Sequence, residues 1–466
     1  MELQNQIKQL HKDLTDYSKI TDTEKPLVVA GILLALDNAE KSNFSIESLN
    51  GDGNYTDGQK IYSAIQDSLK RVIFSSEVKI DEILSQFSVI KDAVKLNEKN
   101  DTLGKTPLKY YAEFLADTIY KSIKDNNSAE DFIGRFFGDF LSYSGNSSHS
   151  LGIVLTPTHI TQLFCDLLDL QPEDKVYDAC CGTGSFLVTA MYNMIAKATT
   201  PQQIENIKNN QLYGCELQPY MFALAITNII LRGNGKSNLQ CQDFLKQGIT
   251  DCNVGMLNPP YSQGSKKNPN LYEIAFVEHL LNSLVKGGRC AVIVPQSSMT
   301  GKTKEEKNIK KNILKNHTLE GVISLNKDTF GGVGTRPCIA IFTAGIPHDK
   351  DHICKFINFE DDGYKIIKHS GLIETESAKD KKQHLLDVWL NKVEERTKFC
   401  VKTTIEDKDE WLHSFYYYND EIPTEEDFEK TINDYLTFEF SMIMQGRKYL
   451  FEDESINGEI YGQEAE

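Results

Sequence analysis

The sequence predicts an α/β chain: a doubly wound, mostly parallel domain, preceded by an α-helical N-terminal domain and followed by a mixed, acidic C-terminal region. Three observations carry this. Between residues 150 and 345, short β-branched runs alternate with helical patterns, which implies a parallel sheet covered on both faces. Residues 1–149 instead show apolar spacing of three and four without such runs. From residue 346 to 466, Lys, Asp and Glu dominate. Hydrophobic residues make up 40% and charged residues 25%, an ordinary balance for a globular chain.

In the N-terminal region, the apolar positions of 110–120 recur at helical spacing, and Pro107 suits a helix start. Polar residues at 50–54 divide the region into two helical clusters, and the stretch 142–148 reads as a linker. Four strands are then expected at 175–178, 212–216, 254–257 and 290–294, with a further one ending at Cys241 and an apolar strand at 338–342. In such sheets ligands bind outside the carboxyl ends of the strands. The C-terminal region carries the aromatic run 415–418 and is expected to fray from Ser455.

The formal net charge is -17. Residues 420–466 hold fourteen acidic against three basic residues, so the rest of the chain is only mildly acidic. An acidic C-terminal stretch repels nucleic acid or docks a basic partner. The ten cysteines form no CxxC pair and match no zinc spacing, so reduced thiols and no metal are expected. No apolar run reaches the roughly 18 residues of a membrane span, and the N-terminus lacks signal-peptide character, so a cytoplasmic location is expected.

The first chemical constellation follows the strand ending at Asp178. Gly182 and Gly184 allow a tight turn that brings backbone close to a ligand, and the helix from Ser185 presents free N–H groups. A dinucleotide fingerprint fails because Leu187 stands where a third Gly or Ala belongs. Glu216, at the tip of the second strand, is placed to accept from ribose hydroxyls; an exposed surface carboxylate is the alternative. Asp243, after the third strand, is placed to accept from an adenine amine with Phe244 against the ring; a helix cap is the alternative. Upstream, Thr156 and Pro157 precede an amphipathic helix, and capping is the reading their spacing favours.

The second constellation is Asn258-Pro259-Pro260-Tyr261, after the fourth strand. An exocyclic amine on an aromatic ring is a poor nucleophile because its lone pair is delocalised. A site that accepts hydrogen bonds from both N–H groups frees that pair. Asn258 offers its side-chain oxygen and Pro259 its carbonyl, on a loop the prolines stiffen. Tyr261 can stack on a base drawn out of a duplex. Pro337-Cys338 superficially resembles a nucleophilic Pro-Cys pair, but Cys338 opens an apolar strand and a core role is expected. Phosphate contacts would fall to Lys266-Lys267 and to 302–315, which holds six lysines against two glutamates. In this order, the two constellations point to an S-adenosylmethionine-dependent amino-methyltransferase acting on adenine in DNA. A protein glutamine or RNA guanine enzyme sharing Asn-Pro-Pro-Tyr is the alternative, and a non-enzymatic scaffold a further one.

These motifs resemble those of the γ-class adenine-N6 DNA methyltransferases, above all the modification (M) subunits of type I restriction–modification systems. The resemblance covers residues 150–345 and, loosely, the N-terminal domain. It implies a Rossmann-like methyltransferase domain using S-adenosyl-L-methionine. Thr156 and Pro157 would then contact the methionine part, Asp178, Gly182, Gly184 and Ser185 would form the cofactor loop, and Glu216, Asp243 and Phe244 would hold ribose and adenine. Asn258, Pro259, Pro260 and Tyr261 would be catalytic, and Phe330, within 329–334, would be a second base-stacking aromatic. The implied partners are double-stranded DNA, a specificity (S) subunit with two M copies per S, and a restriction subunit in a complete system. A stand-alone DNA methyltransferase with its own reader downstream is the alternative within the class.

Overall fold

The computed structural model describes residues 2–39, 44–51, 54–72, 77–125, 155–233, 238–331, 334–367 and 371–451. The expected linker at 142–148, the frayed end from Ser455 and part of 329–334 lie outside the described residues. Residues 1–417 form one compact unit and 418–466 a second.

The N-terminal helices surround Lys25–Asn38, which is apolar on every side, with Val28, Val29, Ile32, Leu33 and Leu34 all buried. A helix apolar all round must be enclosed. It packs on Pro219–Leu231, equally apolar and equally buried, which belongs to the sheet layer. Pro107 does open a helix, Pro107–Leu115. Thr106 caps it by accepting from the Lys109 amide at 3.2 Å while donating to buried Asp57 at 2.6 Å.

The strands are β1 (Val176–Asp178), β2 (Leu212–Glu216), β3 (Asn238–Cys241), β4 (Cys252–Leu257), β5 (Leu284–Pro295), β6 (Thr318–Leu325), β7 (Pro337–Thr343), β8 (Cys354–Phe359), β9 (Tyr364–Ile367), β10 (Gly371–Glu374) and β11 (Cys400–Thr403). Nine of them form one sheet in the order β11-β8-β6-β7-β5-β4-β1-β2-β3. The half from β5 to β3 is parallel, as expected. β7 runs antiparallel to both β5 and β6, and β11 antiparallel to β8. Among the described residues the short connection from β6 to β7 has no crossover helix, and without one a neighbouring strand can only return antiparallel. The sheet also runs past residue 345, where the sequence suggested a boundary.

Central strands are buried on both faces. Ile293, Ile339 and Met256 face one core, while Val292, Val294, Cys338 and Leu257 face the other. Cys338 is fully buried and its thiol donates to the Val294 carbonyl, which matches the core role expected of it. All ten cysteines are free thiols. No helix among the described residues is long and apolar enough to cross a membrane.

The second unit contains the helix Glu425–Met444, begun by a capping box between Thr424 and Asp427. Phe428, Ile432, Tyr435, Leu436, Phe438, Phe440 and Met444 along it are all exposed.

Candidate active site

Strand order reverses between β1 and β4: chain-successive strands lie outward from β1 on one side, and β4 and β5 on the other. A crevice opens at the carboxyl ends beside such a switch point. The two constellations flank it, since one follows β1 and the other follows β4.

The turn after β1 is fixed by backbone bonds. Cys181 donates to the Cys215 carbonyl at 2.8 Å and Gly184 to the Cys181 carbonyl at 2.7 Å. Gly182 and Gly184 both have positive φ, 53° and 82°, so glycine is required here for conformation. Gly184 then starts the helix Ser185–Lys197, and Ser185 and Thr183 hydroxyls pair at 3.1 Å. From Pro219–Leu231, buried Asn228 donates to the Thr183 carbonyl at 3.0 Å and clamps the turn. Sequence reasoning missed Asn228; its signal is a polar residue in an otherwise apolar helix.

Glu216 lies against the same turn. One carboxylate oxygen accepts from the Gly182 amide at 3.0 Å and the other from Gln218 at 2.8 Å. Asp178 is fully buried; Oδ1 accepts only a long 3.4 Å bond from the Cys180 amide, and Oδ2 has no hydrogen-bond partner among the described residues. Burial, with the nearby Glu216 charge, pushes the Asp178 carboxyl up to about 8. A buried carboxyl with an unpaired oxygen fits a cationic ligand, which would restore the charged form.

Asp243 caps its own turn, accepting from Leu245 at 3.1 Å, and pairs with Lys246 at 3.4 Å. Among the described residues no helix directly follows Asp243, so this is a turn bond and not the helix cap of the alternative reading. Phe244 is buried in the core, with its ring against Tyr177, Phe276 and His279. Leu217, directly after β2 and next to Glu216, is exposed. An apolar residue directly after an acidic strand tip is the signal that would have found it.

At the end of β4, the Asn258 amide nitrogen donates to Thr156 Oγ1 at 2.9 Å. Thr156 therefore does not cap the following helix. The residue at the cap position is Pro157, and no side-chain bond closes that end. Pro259 is buried and Pro260 half-buried. Tyr261 donates its hydroxyl to the Ile293 carbonyl of β5 at 3.3 Å, and burial raises its phenol far above the ordinary range. Phe330 meets the Tyr261 ring edge-to-face, with centroids 6.0 Å apart and planes at 85°. Asn258, Tyr261, Phe330 and Thr156 are thus brought together from chain segments far apart in sequence.

The loop after Tyr261 contains another residue the sequence did not reveal. Ser262 has φ of 60°, and its amide donates to Glu273 Oε1 at 2.6 Å. Glu273 is buried at the start of the helix Glu273–Ser283. Lys266 and Lys267 are exposed beyond it. Of the six lysines in 302–315, five are exposed, whereas Lys310 is buried and donates to the Met299 and Asp409 carbonyls, each at 2.6 Å. Lys310 is therefore not a phosphate contact. Among the described residues no cluster of His, Cys, Asp and Glu is arranged to hold a metal.

The sequence profile of the N-6 DNA Methylase family matches residues 128–439. The chain is 46% identical over 451 residues to the "Type II restriction enzyme and methyltransferase RM.BcgI" of Heyndrickxia coagulans, covering 95% of this chain and 70% of that protein. It is 25% identical over 272 residues to the "Type I restriction enzyme MjaVII methylase subunit" of Methanocaldococcus jannaschii, covering 52% of this chain and 44% of that one. In fold it resembles a solved chain of a type I R-M system (TM-score 0.64, 15% identity, 97% and 99% coverage). It also resembles the type I methyltransferase subunit from Streptococcus thermophilus (TM-score 0.54, 16% identity, 86% and 95% coverage). A profile match across both constellations, with a relative identical at nearly half of the aligned positions, settles the assignment: the chain belongs to the N-6 DNA methylase family, the DNA methyltransferases of restriction–modification systems.

Proposed function

We propose that the chain transfers a methyl group from S-adenosyl-L-methionine to the N6 amine of an adenine flipped out of double-stranded DNA. The observation that carries this is the Asn258–Thr156 bond beside the Tyr261–Phe330 pair. With its nitrogen committed to Thr156, Asn258 has its oxygen left to accept one N–H of the target amine, and the Pro259 carbonyl accepts the other. Tyr261 stacks on the base and Phe330 closes its edge. The proton released from the amine passes to solvent, so no general base is required.

The cofactor supplies an electrophilic methyl on a sulfonium. The residues after β1 and β2 fit such a group. Asp178, through its unpaired oxygen, would face its positive charge, Gly182, Gly184 and Ser185 would offer backbone and hydroxyl donors, and Glu216 would meet its ribose. Asp243 is assigned to the adenine amine, with Phe244 against the ring and exposed Leu217 as further apolar cover. Pro157 is assigned to the rim of the same site.

In this reading, sequence is read by a specificity chain, with two copies of this chain per reader, and the exposed apolar helix Glu425–Met444 is the surface offered to such a partner. The higher identity to a protein named as a type II restriction enzyme and methyltransferase favours a second reading, in which methylation operates within a type II enzyme and not a type I complex. The test is transfer of labelled methyl to unmethylated duplex DNA, by the chain alone and with a neighbouring-gene specificity chain. Asn258→Ala and Tyr261→Ala serve as controls. N6-methyladenine lost in both variants supports the proposal. Bound cofactor without DNA methylation in either condition overturns it and turns attention to protein or RNA acceptors.

A further inference from the structure

β9 and β10 form a two-stranded ribbon apart from the nine-stranded sheet, paired from Tyr364 with Glu374 to Ile367 with Gly371. Beyond Tyr364, the successive residues Lys365, Ile366 and Ile367 are all exposed, the isoleucines at 43% and 50%. A ribbon this short is marginal in water unless something holds it.

Its base is held firmly, and to the loops of the active site. Asn326 donates to Asp362 at 2.9 Å and to the Tyr364 carbonyl at 3.1 Å. Through its own oxygens Asn326 also accepts from Asp328 and Thr329, which fixes the loop carrying Phe330. On the other side the Tyr364 ring stacks on His159, with centroids 3.9 Å apart and planes at 16°. His159 lies in the first turn of the helix that follows Thr156 and Pro157. The ribbon is therefore tied both to the Phe330 loop and to the chain that orients Asn258.

We propose that this ribbon is a duplex-contacting finger that helps expel the target adenine: Ile366 and Ile367 press on the base stack beside the target, and Lys365 with exposed Lys327 meets flanking phosphates. The proposal rests on the adenine reading of the site. Three physical points favour DNA as the occupant. The ribbon is bonded to the Phe330 loop and stacked on the helix beside Thr156, next to the groups that must receive an extruded base. Its strands reach about 13 Å, more than the ~8.5 Å depth of a major groove that admits a two-stranded ribbon. Apolar side chains that unstack a base step are a recurrent means of distorting a duplex. The carboxylates nearby, Asp361, Asp362 and Glu374, lie at the base of the ribbon, and Asp361 is paired with Lys381 at 2.5 Å.

The test uses the full chain, with a neighbouring-gene specificity chain if methylation requires one, on two duplexes. One pairs the target adenine with thymine; the other places an abasic site opposite it, so there is no pair to break. Ile366→Ser/Ile367→Ser should lower kcat/KM about tenfold or more on the paired duplex and far less on the unpaired one. Lys365→Ala should weaken binding to both and reduce the salt dependence by about one phosphate contact. Wild-type rates for the isoleucine variant on the paired duplex overturn the proposal. So does an equal loss on both duplexes together with loss of the specificity chain, which would mark the ribbon as a protein-docking surface. A wild-type protein that methylates neither duplex overturns the adenine reading and this proposal with it.

Discussion

The Asn258 side chain is oriented by Thr156, whose hydroxyl oxygen lies 2.9 Å from its amide nitrogen across 102 residues of sequence. An unanchored amide can turn its NH2 toward the target amine and present a donor to a donor. Thr156→Val keeps the shape and removes the acceptor. We expect kcat to fall about 10- to 100-fold, on the scale of one or two hydrogen bonds, with cofactor affinity within about twofold and Thr156→Ser close to wild type. Single-turnover rates and calorimetric cofactor binding check this. If Thr156→Val weakens cofactor binding and leaves kcat intact, its hydroxyl serves the methionine moiety instead.

Asp178 predicts a pH dependence. Its folded-state carboxyl titrates at about 8 because of burial, above the unfolded value of about 3.9. Between these values the folded chain holds a proton that the unfolded chain has lost, so this group's contribution to stability falls as pH rises through that window. Binding a cation requires the carboxylate and so releases the proton. Cofactor affinity should therefore rise by roughly tenfold per pH unit between pH 6 and 7.5. Calorimetry in two buffers of different ionisation enthalpy should show close to one proton released at pH 7, and none for Asp178→Asn. Equal proton release in that variant would assign the proton to another group.

Much of the site was legible in sequence because it depends on local geometry. Gly182 and Gly184 mark positive-φ positions, Asn258 to Tyr261 mark a proline-stiffened loop, and Asp178 and Glu216 end short strands. What escaped depends on contacts distant in the chain. Asn228 is marked only as a polar residue in an apolar helix, and nothing near it or Glu273 says that the groups they clamp are Thr183 and Ser262. Lys310 reads as one of a run of surface lysines, yet the fold of 406–411 over its helix buries it. The ring of Phe244 packs on Tyr177 and Phe276, contacts that its position after Asp243 does not announce. The antiparallel β7 was missed because strand direction depends on the connection and not on the strand's own pattern.

Glu273 holds the far side of the loop that carries Asn258 and Tyr261. It satisfies the amide of Ser262, a non-glycine residue with φ of 60°. Glu273→Ala leaves that amide unpaired and should cost about 1–3 kcal/mol of stability, with a lower kcat as the loop loosens. Glu273→Gln retains an acceptor oxygen and should recover most of both. Ser262→Gly relieves the left-handed strain and should raise the melting temperature, since such conformations cost about 1–2 kcal/mol for residues bearing a Cβ. Thermal melts and kcat for the three variants check this. A Glu273→Ala protein with unchanged kcat would show that the loop is held without it.

Lys310 separates structure from DNA contact within one helix. Its ammonium donates to the Met299 and Asp409 carbonyls and lies 4.3 Å from the Trp411 ring centroid, whereas Lys307 and Lys311 of the same helix, Lys304–Asn316, are exposed. Lys310→Met should lower stability by about 2–4 kcal/mol, because two carbonyls lose their donor. Lys307→Ala and Lys311→Ala should leave melting unchanged and each weaken DNA binding in a salt-dependent way. Burial lowers the Lys310 ammonium to about 8, below the unfolded value of about 10.4. Between these pH values the unfolded chain binds the extra proton, so this lysine's contribution to stability rises with pH. The stability gap between wild type and Lys310→Met should therefore widen from pH 8 to 10 in denaturant titrations. A gap that narrows over that range would mean that the ammonium is stabilised, and not strained, by its burial.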